Sequence, residues 1–122
     1  MANILIADDQ EKIRQMLKSL FEQYNYTVSI AANGKEALNL FRSQPFDLVI
    51  TDILMPDMEG IETIRELKKL DPKVKIIAMS GGGSVRAMEY LRMAGMLGAL
   101  RTIEKPFNVR EMLDAVGFCL GE

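Results

Sequence analysis

Acidic residues stand where two apolar runs end. Asp8 and Asp9 follow Ile4-Leu5-Ile6-Ala7, and Asp52 follows Leu48-Val49-Ile50-Thr51. Two like charges about 4 Å apart repel by roughly 4 kcal/mol at an effective dielectric of 20. Three carboxylates in one crevice therefore take up a cation or raise a pKa. All-oxygen ligation in a wet crevice suits Mg²⁺, which accepts a few carboxylates, several waters and a phosphate. Two further runs lead to Ser80 and, through Glu104, to Lys105-Pro106. A hydroxyl and a compact ammonium are donors for phosphoryl oxygens. The chemistry these types allow together is attack by a carboxylate on phosphorus, giving an aspartyl phosphate. Such transfer needs in-line positioning and neutralised charge more than covalent assistance. Taken singly, each residue has a plainer reading: Asp8-Asp9 as a helix-capping pair, Asp52 as a loop aspartate, Ser80 as a turn residue and Lys105 as a surface lysine. Their conjunction at the ends of four runs is what points to chemistry.

The elements that must bring them together are short. Apolar stretches at Ile4–Ala7, Tyr26–Ala31, Leu48–Thr51, Val74–Met79 and Ala99–Ile103 read as strands. Helical spacing fills the intervals. Ile13, Leu17, Leu20 and Tyr24 share one face; Ala37, Leu40 and Phe41 a second; Ile61, Ile64 and Leu67 a third. Segment 84–97 has Ala87, Tyr90, Leu91, Ala94 and Leu97 inward and Gly98 as its stop, and Val109, Met112, Leu113, Val116 and Leu120 form the last face. Asn108 with Glu111 has capping-box spacing. Strand and helix alternating five times predict one α/β domain over residues 1–122, a doubly wound parallel sheet with helices on both faces. The first, third and fourth strands are continuously apolar, as centrally placed strands are. The second alternates and the fifth contains Arg101 and Thr102, so these two read as edges. That fits the order 2-1-3-4-5, whose switch point, where ligands bind, lies at the carboxyl ends of strands 1 and 3.

Composition excludes several function classes. Fifteen basic against seventeen acidic residues give a net charge of −2, so no global positive field draws the chain to nucleic acid or anionic membrane. With no histidine and one cysteine, Cys119, there is no Cys/His zinc cluster, no Ser-His or Cys-His dyad, and no internal disulfide. No run approaches the roughly 18 apolar residues of a membrane span, and the N-terminus lacks a signal-peptide pattern. A cytoplasmic location is the expectation. Gly81-Gly82-Gly83 resembles a phosphate-cradling loop but lacks the remaining P-loop pattern, so it reads as a flexible turn. Lys105-Pro106 is a candidate cis peptide, although only about 5–6% of X-Pro bonds are cis.

With these residues in view, the chain resembles a response-regulator receiver domain, the CheY-like phosphoacceptor of two-component signalling, over essentially its whole length. The resemblance is carried by Ile4-Leu5-Ile6-Ala7-Asp8-Asp9, by Asp47-Leu48-Val49-Ile50-Thr51-Asp52-Ile53-Leu54-Met55-Pro56 with Gly60 following, by Ser80, and by Lys105-Pro106-Phe107. It implies a flavodoxin/CheY-like fold with five helices and Asp52 as the phosphorylated residue. It also implies Mg²⁺ held by Asp9, Asp52 and the Leu54 backbone carbonyl, with Asp8 acting through water. Ser80 would bond the phosphoryl group and Lys105 ion-pair with it. The implied donor is a histidine kinase or histidine phosphotransfer protein. The implied role is non-enzymatic signalling, apart from promoting its own phosphorylation and dephosphorylation.

Three departures from the family pattern stand out. The aromatic expected three residues before the lysine is Thr102, so the usual aromatic switch is altered, with Tyr90 as a substitute or simply a packing residue. Ser80 is followed by three glycines, which loosens the loop. Lys105 follows Ser80 by 25 positions, an interval expected to lengthen the fourth helix. Leu54 and Gly82 stand where the family tunes dephosphorylation, and neither side chain orients a hydrolytic water. Residues 84–110, with Arg86, Arg92, Arg101, Lys105 and Arg110 against Glu89 and Glu104 and with Met88, Met93 and Met96, offer a face for a downstream protein. Nothing after the last helix reads as an output domain, so a stand-alone receiver signalling by conformational change and docking is expected. The competing expectations are a receiver-like scaffold that works without phosphorylation and a flavodoxin-like cofactor binder. The acid cluster opposes the latter.

Overall fold

The computed structural model describes residues 2–55, 60–81 and 85–122. Five strands, β1 (Asn3–Ala7), β2 (Thr27–Ala31), β3 (Leu48–Asp52), β4 (Ile76–Gly81) and β5 (Arg101–Lys105), alternate with α1 (Glu11–Gln23), α2 (Gly34–Ser43), α3 (Gly60–Leu70), α4 (Val85–Met96) and α5 (Val109–Leu120). The strands form one parallel sheet in the order β2-β1-β3-β4-β5. β1, β3 and β4 are almost wholly buried, while β2 and β5 alternate. This is the pattern expected when central strands are covered on both faces and edge strands are not.

The sheet separates two apolar layers. Leu5, Val49, Ile76 and Ala78 face the cluster containing Leu38, Ile64, Leu67 and Leu91 from α2, α3 and α4. Ile4, Ile6, Ile50, Ile77 and Ile103 face Leu17, Phe21, Met112, Val116 and Cys119 from α1 and α5. Helix starts are fixed locally. Asn33 accepts from the Glu36 N–H at 2.9 Å, and Asn108 accepts from the Glu111 N–H at 2.6 Å, each satisfying an otherwise orphaned donor. Gly98 (φ 113°) follows the end of α4, and Gly121 (φ 76°) caps α5 in the left-handed region, where a Cβ would be strained.

Several expectations shift in detail. Tyr24 is exposed because α1 ends at Gln23, and Phe21 takes the buried position. Val109, the first residue of α5, is exposed, and Ala115 and Cys119 complete the inner face. β5 lies two residues later than its apolar run, since Arg101 and Glu104 occupy outward edge positions. α4 spans 12 residues, Val85–Met96, the same length as α5. Pro56, Gly82 and Gly83 lie outside the described residues.

Candidate functional site

Sheet register brings the polar residues to one edge. Asp52 ends β3 level with Met79 of β4, and Lys105 ends β5 level with Gly81, one residue beyond Ser80. Asp8 leaves β1 directly after Ala7, which pairs with Thr51. The Lys105 ammonium donates to Asp8 Oδ2 at 2.6 Å and to Asp52 Oδ2 at 3.0 Å. All three side chains are at least four-fifths buried, and Asp8 is wholly so. Carboxylate oxygens of Asp8, Asp9 and Asp52 lie within 4.8 Å of one another. Asp9 is the exposed member.

Backbone contacts aim these groups. Asp8 Oδ1 accepts from the Gln10 N–H at 2.8 Å, and the Asp8 carbonyl accepts from Arg14 Nη1 at 2.8 Å. Asp52 Oδ1 accepts from the Leu54 N–H at 3.3 Å. Thr51, buried after three apolar residues of β3, donates its hydroxyl to the Asp52 carbonyl at 2.9 Å. The Gly60 N–H donates to the Ile53 carbonyl at 2.6 Å. A Cβ on Gly60 would lie 2.2 Å from the Asp52 carbonyl oxygen, so only glycine lets α3 start this close to the end of β3. The Lys105-Pro106 bond is cis.

Electrostatics leave the cluster short of positive charge. Burial pushes the Asp52 carboxyl above its usual range; attraction to Lys105 opposes this, and the negative charge of Asp8 adds to it. Burial works against the charge on Lys105, but its contacts with Asp8 and Asp52 together raise its pKa. Three carboxylates against one ammonium leave a deficit that one divalent cation would cancel, and the oxygen-only donors fit Mg²⁺. Ser80 adds a hydroxyl at the same sheet edge. Its hydroxyl is fully buried and has no hydrogen-bond partner among the described residues, a state that costs about 1–3 kcal/mol.

Residues 4–117 match the family model of the response regulator receiver domain. The chain belongs to that family. The receiver is 37% identical over 113 residues to sporulation initiation phosphotransferase F of Bacillus subtilis, covering 93% of this chain and 89% of that protein. It is 36% identical over 115 residues to chemotaxis protein CheY of Thermotoga maritima, covering 93% and 92% of the two chains. A receiver domain protein from Clostridium thermocellum shares its fold with a TM-score of 0.92 at 30% identity, covering 99% of this chain and 95% of that one. The protein is thus a phosphoacceptor domain of two-component signalling.

The receiver's less usual positions are also placed. Thr102 is exposed and borders a groove of about 480 Å³ between α4 and β5, shared with Met88, Leu91, Arg92, Gly95, Met96 and Glu104. Tyr90 packs against the core cluster that α2, α3 and α4 share, the one to which the groove residue Leu91 also belongs, with the Arg86 guanidinium 5.4 Å from its ring centroid. It stands away from the groove at Thr102. The Leu54 side chain is partly exposed. Motif reading gave no role to Thr51 or Arg14. A polar residue inside a buried strand was the available signal for Thr51; Arg14 carried none.

Proposed function

We propose that Asp52 is the phosphorylated residue of this receiver and that its acid cluster binds Mg²⁺. The observation that carries this reading is the joint engagement of Asp8 and Asp52 by Lys105, beside a buried Ser80 hydroxyl with no partner. Asp9, Asp52 and the Leu54 carbonyl would hold the ion, with Asp8 acting through water. When bound, Mg²⁺ offsets negative charge on the phosphoryl oxygens and on the carboxylates around them. Asp52 Oδ attacks phosphorus in line; the new O–P bond forms as the donor's P–N bond breaks, and the departing imidazole takes a proton. Lys105 shifts from its carboxylate partners toward the phosphoryl oxygens. Ser80 donates its hydroxyl to another of them. Reorganisation of these two side chains links phosphorylation to the β4–α4 and β5 segments.

The chain has no histidine, so the donor's phosphohistidine belongs to another protein, a kinase or a phosphotransfer protein. We place the output contact within residues 84–110, where Val85, Met88, Met93, Met96 and Leu100 are exposed and basic residues exceed acidic ones. The receiver promotes only its own phosphorylation and dephosphorylation. No described helix is long and apolar enough to cross a membrane. A cytoplasmic setting accompanies this reading, and the unpaired, buried Cys119 suits a reducing compartment.

Intact-mass measurement with acetyl phosphate tests the assignment. The wild type should gain one phosphoryl mass only with Mg²⁺, and Asp52→Asn should gain none. Labelling of Asp52→Asn at the wild-type rate would overturn the assignment. Absence of labelling in the wild type, together with unchanged amide spectra on adding beryllofluoride and Mg²⁺, would leave a phosphorylation-independent scaffold.

A further inference from the structure

We infer that Arg14 is a positioning residue that sets the direction of Asp9, and through it the affinity of the acid cluster for Mg²⁺. This rests on the metal-binding reading above. Arg14 is the fourth residue of α1. Helical side chains lean toward the N-terminus, so its guanidinium reaches back over the first turn. There Nη1 donates to the Asp8 carbonyl at 2.8 Å.

That carbonyl belongs to the peptide joining Asp8 to Asp9, and the planarity of the unit means that holding its oxygen holds the start of Asp9. Asp8 is otherwise well tethered: its N–H donates to the Ala31 carbonyl, and its two carboxylate oxygens accept from the Gln10 N–H and Lys105. Asp9 is not. Neither its N–H nor its carboxylate has a hydrogen-bond partner among the described residues, and it is exposed. The N-cap residue Gln10 makes no side-chain cap bond, so the β1–α1 turn has no side-chain clamp from its own cap. The Asp8 Oδ1–Gln10 N–H bond spans the turn, and the Arg14 bond adds the restraint on the Asp8–Asp9 peptide plane from which the Asp9 carboxylate projects into the cluster.

Two physical effects of Arg14 have opposite signs, and this makes the inference decidable. As a nearby positive charge, Arg14 repels Mg²⁺, and removing it would tighten binding. As a positioning group it pre-arranges Asp9, and removing it weakens binding. Groups that orient metal ligands typically change affinity by about 10–100-fold, whereas the charge of the half-buried Arg14, already engaged by the Asp8 carbonyl, is partly screened by solvent. Positioning therefore dominates.

The test is Mg²⁺ titration of the metal-free protein, followed by amide NMR shifts at Gln10, Ile53 and Ser80. Arg14→Ala should raise the Mg²⁺ dissociation constant about tenfold while leaving spectra of α3 and α5 unchanged. In an Asp9→Asn background the same substitution should add almost nothing, because Arg14 acts through Asp9. If Arg14→Ala does not fold, Arg14→Met, which keeps the apolar stem and removes the N–H donors, gives the same reading. Equal or tighter Mg²⁺ binding by the folded variant, or an equal loss in the Asp9→Asn background, would overturn the role of Arg14 alone. A wild type that binds no Mg²⁺ would overturn the metal site itself.

Discussion

Gly60 and Gly95 are both helical, yet they occupy opposite kinds of surroundings. Gly60 opens α3 against the end of β3, where an added Cβ would meet the Asp52 carbonyl oxygen at 2.2 Å and Ile53 Cα at 2.5 Å. Gly95 lies near the end of α4, where an added Cβ would meet nothing within 4 Å. The strand tips around Asp8, Asp52 and Lys105 are packed down to the missing methyl, and most of their polar atoms have assigned partners. The face of α4 beside β5 is open, bordered by exposed methionines and by the groove at Thr102. A phosphoacceptor needs its charges held in place before the donor arrives. A face that meets other proteins keeps its apolar side chains available. The same fold meets both demands about one helix apart.

The largest test of this contrast is Gly60→Ala. The overlap is with the backbone of Asp52 and Ile53, so α3 or the Asp52 strand end must move. A loss of about 3 kcal/mol or more is expected in chemical denaturation, at the upper end of single substitutions. A folded Gly60→Ala protein should also lose phosphoryl labelling, since displacement of about 1 Å at a reacting carboxylate is enough to slow transfer. Wild-type stability in this variant would show the β3–α3 junction to be looser than its spacing indicates.

The next effect is electrostatic and runs the other way. Burial raises the folded-state pKa of Asp52 above the ordinary 3.8, with Asp8 adding to it and Lys105 opposing it. The folded protein then binds the proton more tightly than the unfolded chain does. Stability falls as pH rises from 3.8 through the folded value, and the deficit persists at neutral pH. Asp52→Asn removes the deficit, and Lys105 keeps its 2.6 Å partner in Asp8. Without Mg²⁺, the melting temperature of Asp52→Asn should exceed the wild type's by several degrees at pH 7. The gain should shrink toward zero as pH approaches 3.8. A variant that melts lower than wild type at pH 7 would show that the Lys105–Asp52 attraction outweighs the burial of Asp52.

The two regions were not equally legible in the sequence. Asp8, Asp9, Asp52, Ser80 and Lys105 could be gathered from sequence because each follows or ends an apolar run, and strand order follows from which runs are unbroken. β5 was harder to bound, because an edge strand tolerates Arg101, Thr102 and Glu104 on its open side and its apolar run stops short of Lys105. The contacts that aim the acids were not visible. Arg14 meets a carbonyl, Thr51 meets the carbonyl beside it, and Gly60 is required by a backbone approach. A polar Thr51 in a buried strand and a glycine at position 60 hint at a contact without naming its backbone partner, and Arg14 gives no hint at all. On α1, Leu20, Phe21 and Tyr24 all fit a helical stripe, and only the end of the helix at Gln23 decides that Phe21 is buried and Tyr24 exposed.

Gly95→Ala supplies the smallest and most discriminating measurement. Nothing obstructs a methyl group at this position, and the backbone there does not need positive φ. The substitution lowers the conformational entropy of the unfolded chain, and a gain of about 0.4–1 kcal/mol is expected. Alanine in place of glycine thus destabilises at α3 and stabilises at α4, a change of sign that helix propensity alone does not produce. Gly95 also lines the groove at Thr102. The added methyl narrows the space between α4 and β5 without touching Asp52, so Mg²⁺-dependent labelling should stay at the wild-type rate. If labelling falls while stability rises, movement of α4 is coupled to the acid cluster before phosphorylation, and the open face belongs to the chemistry as much as the packed one does.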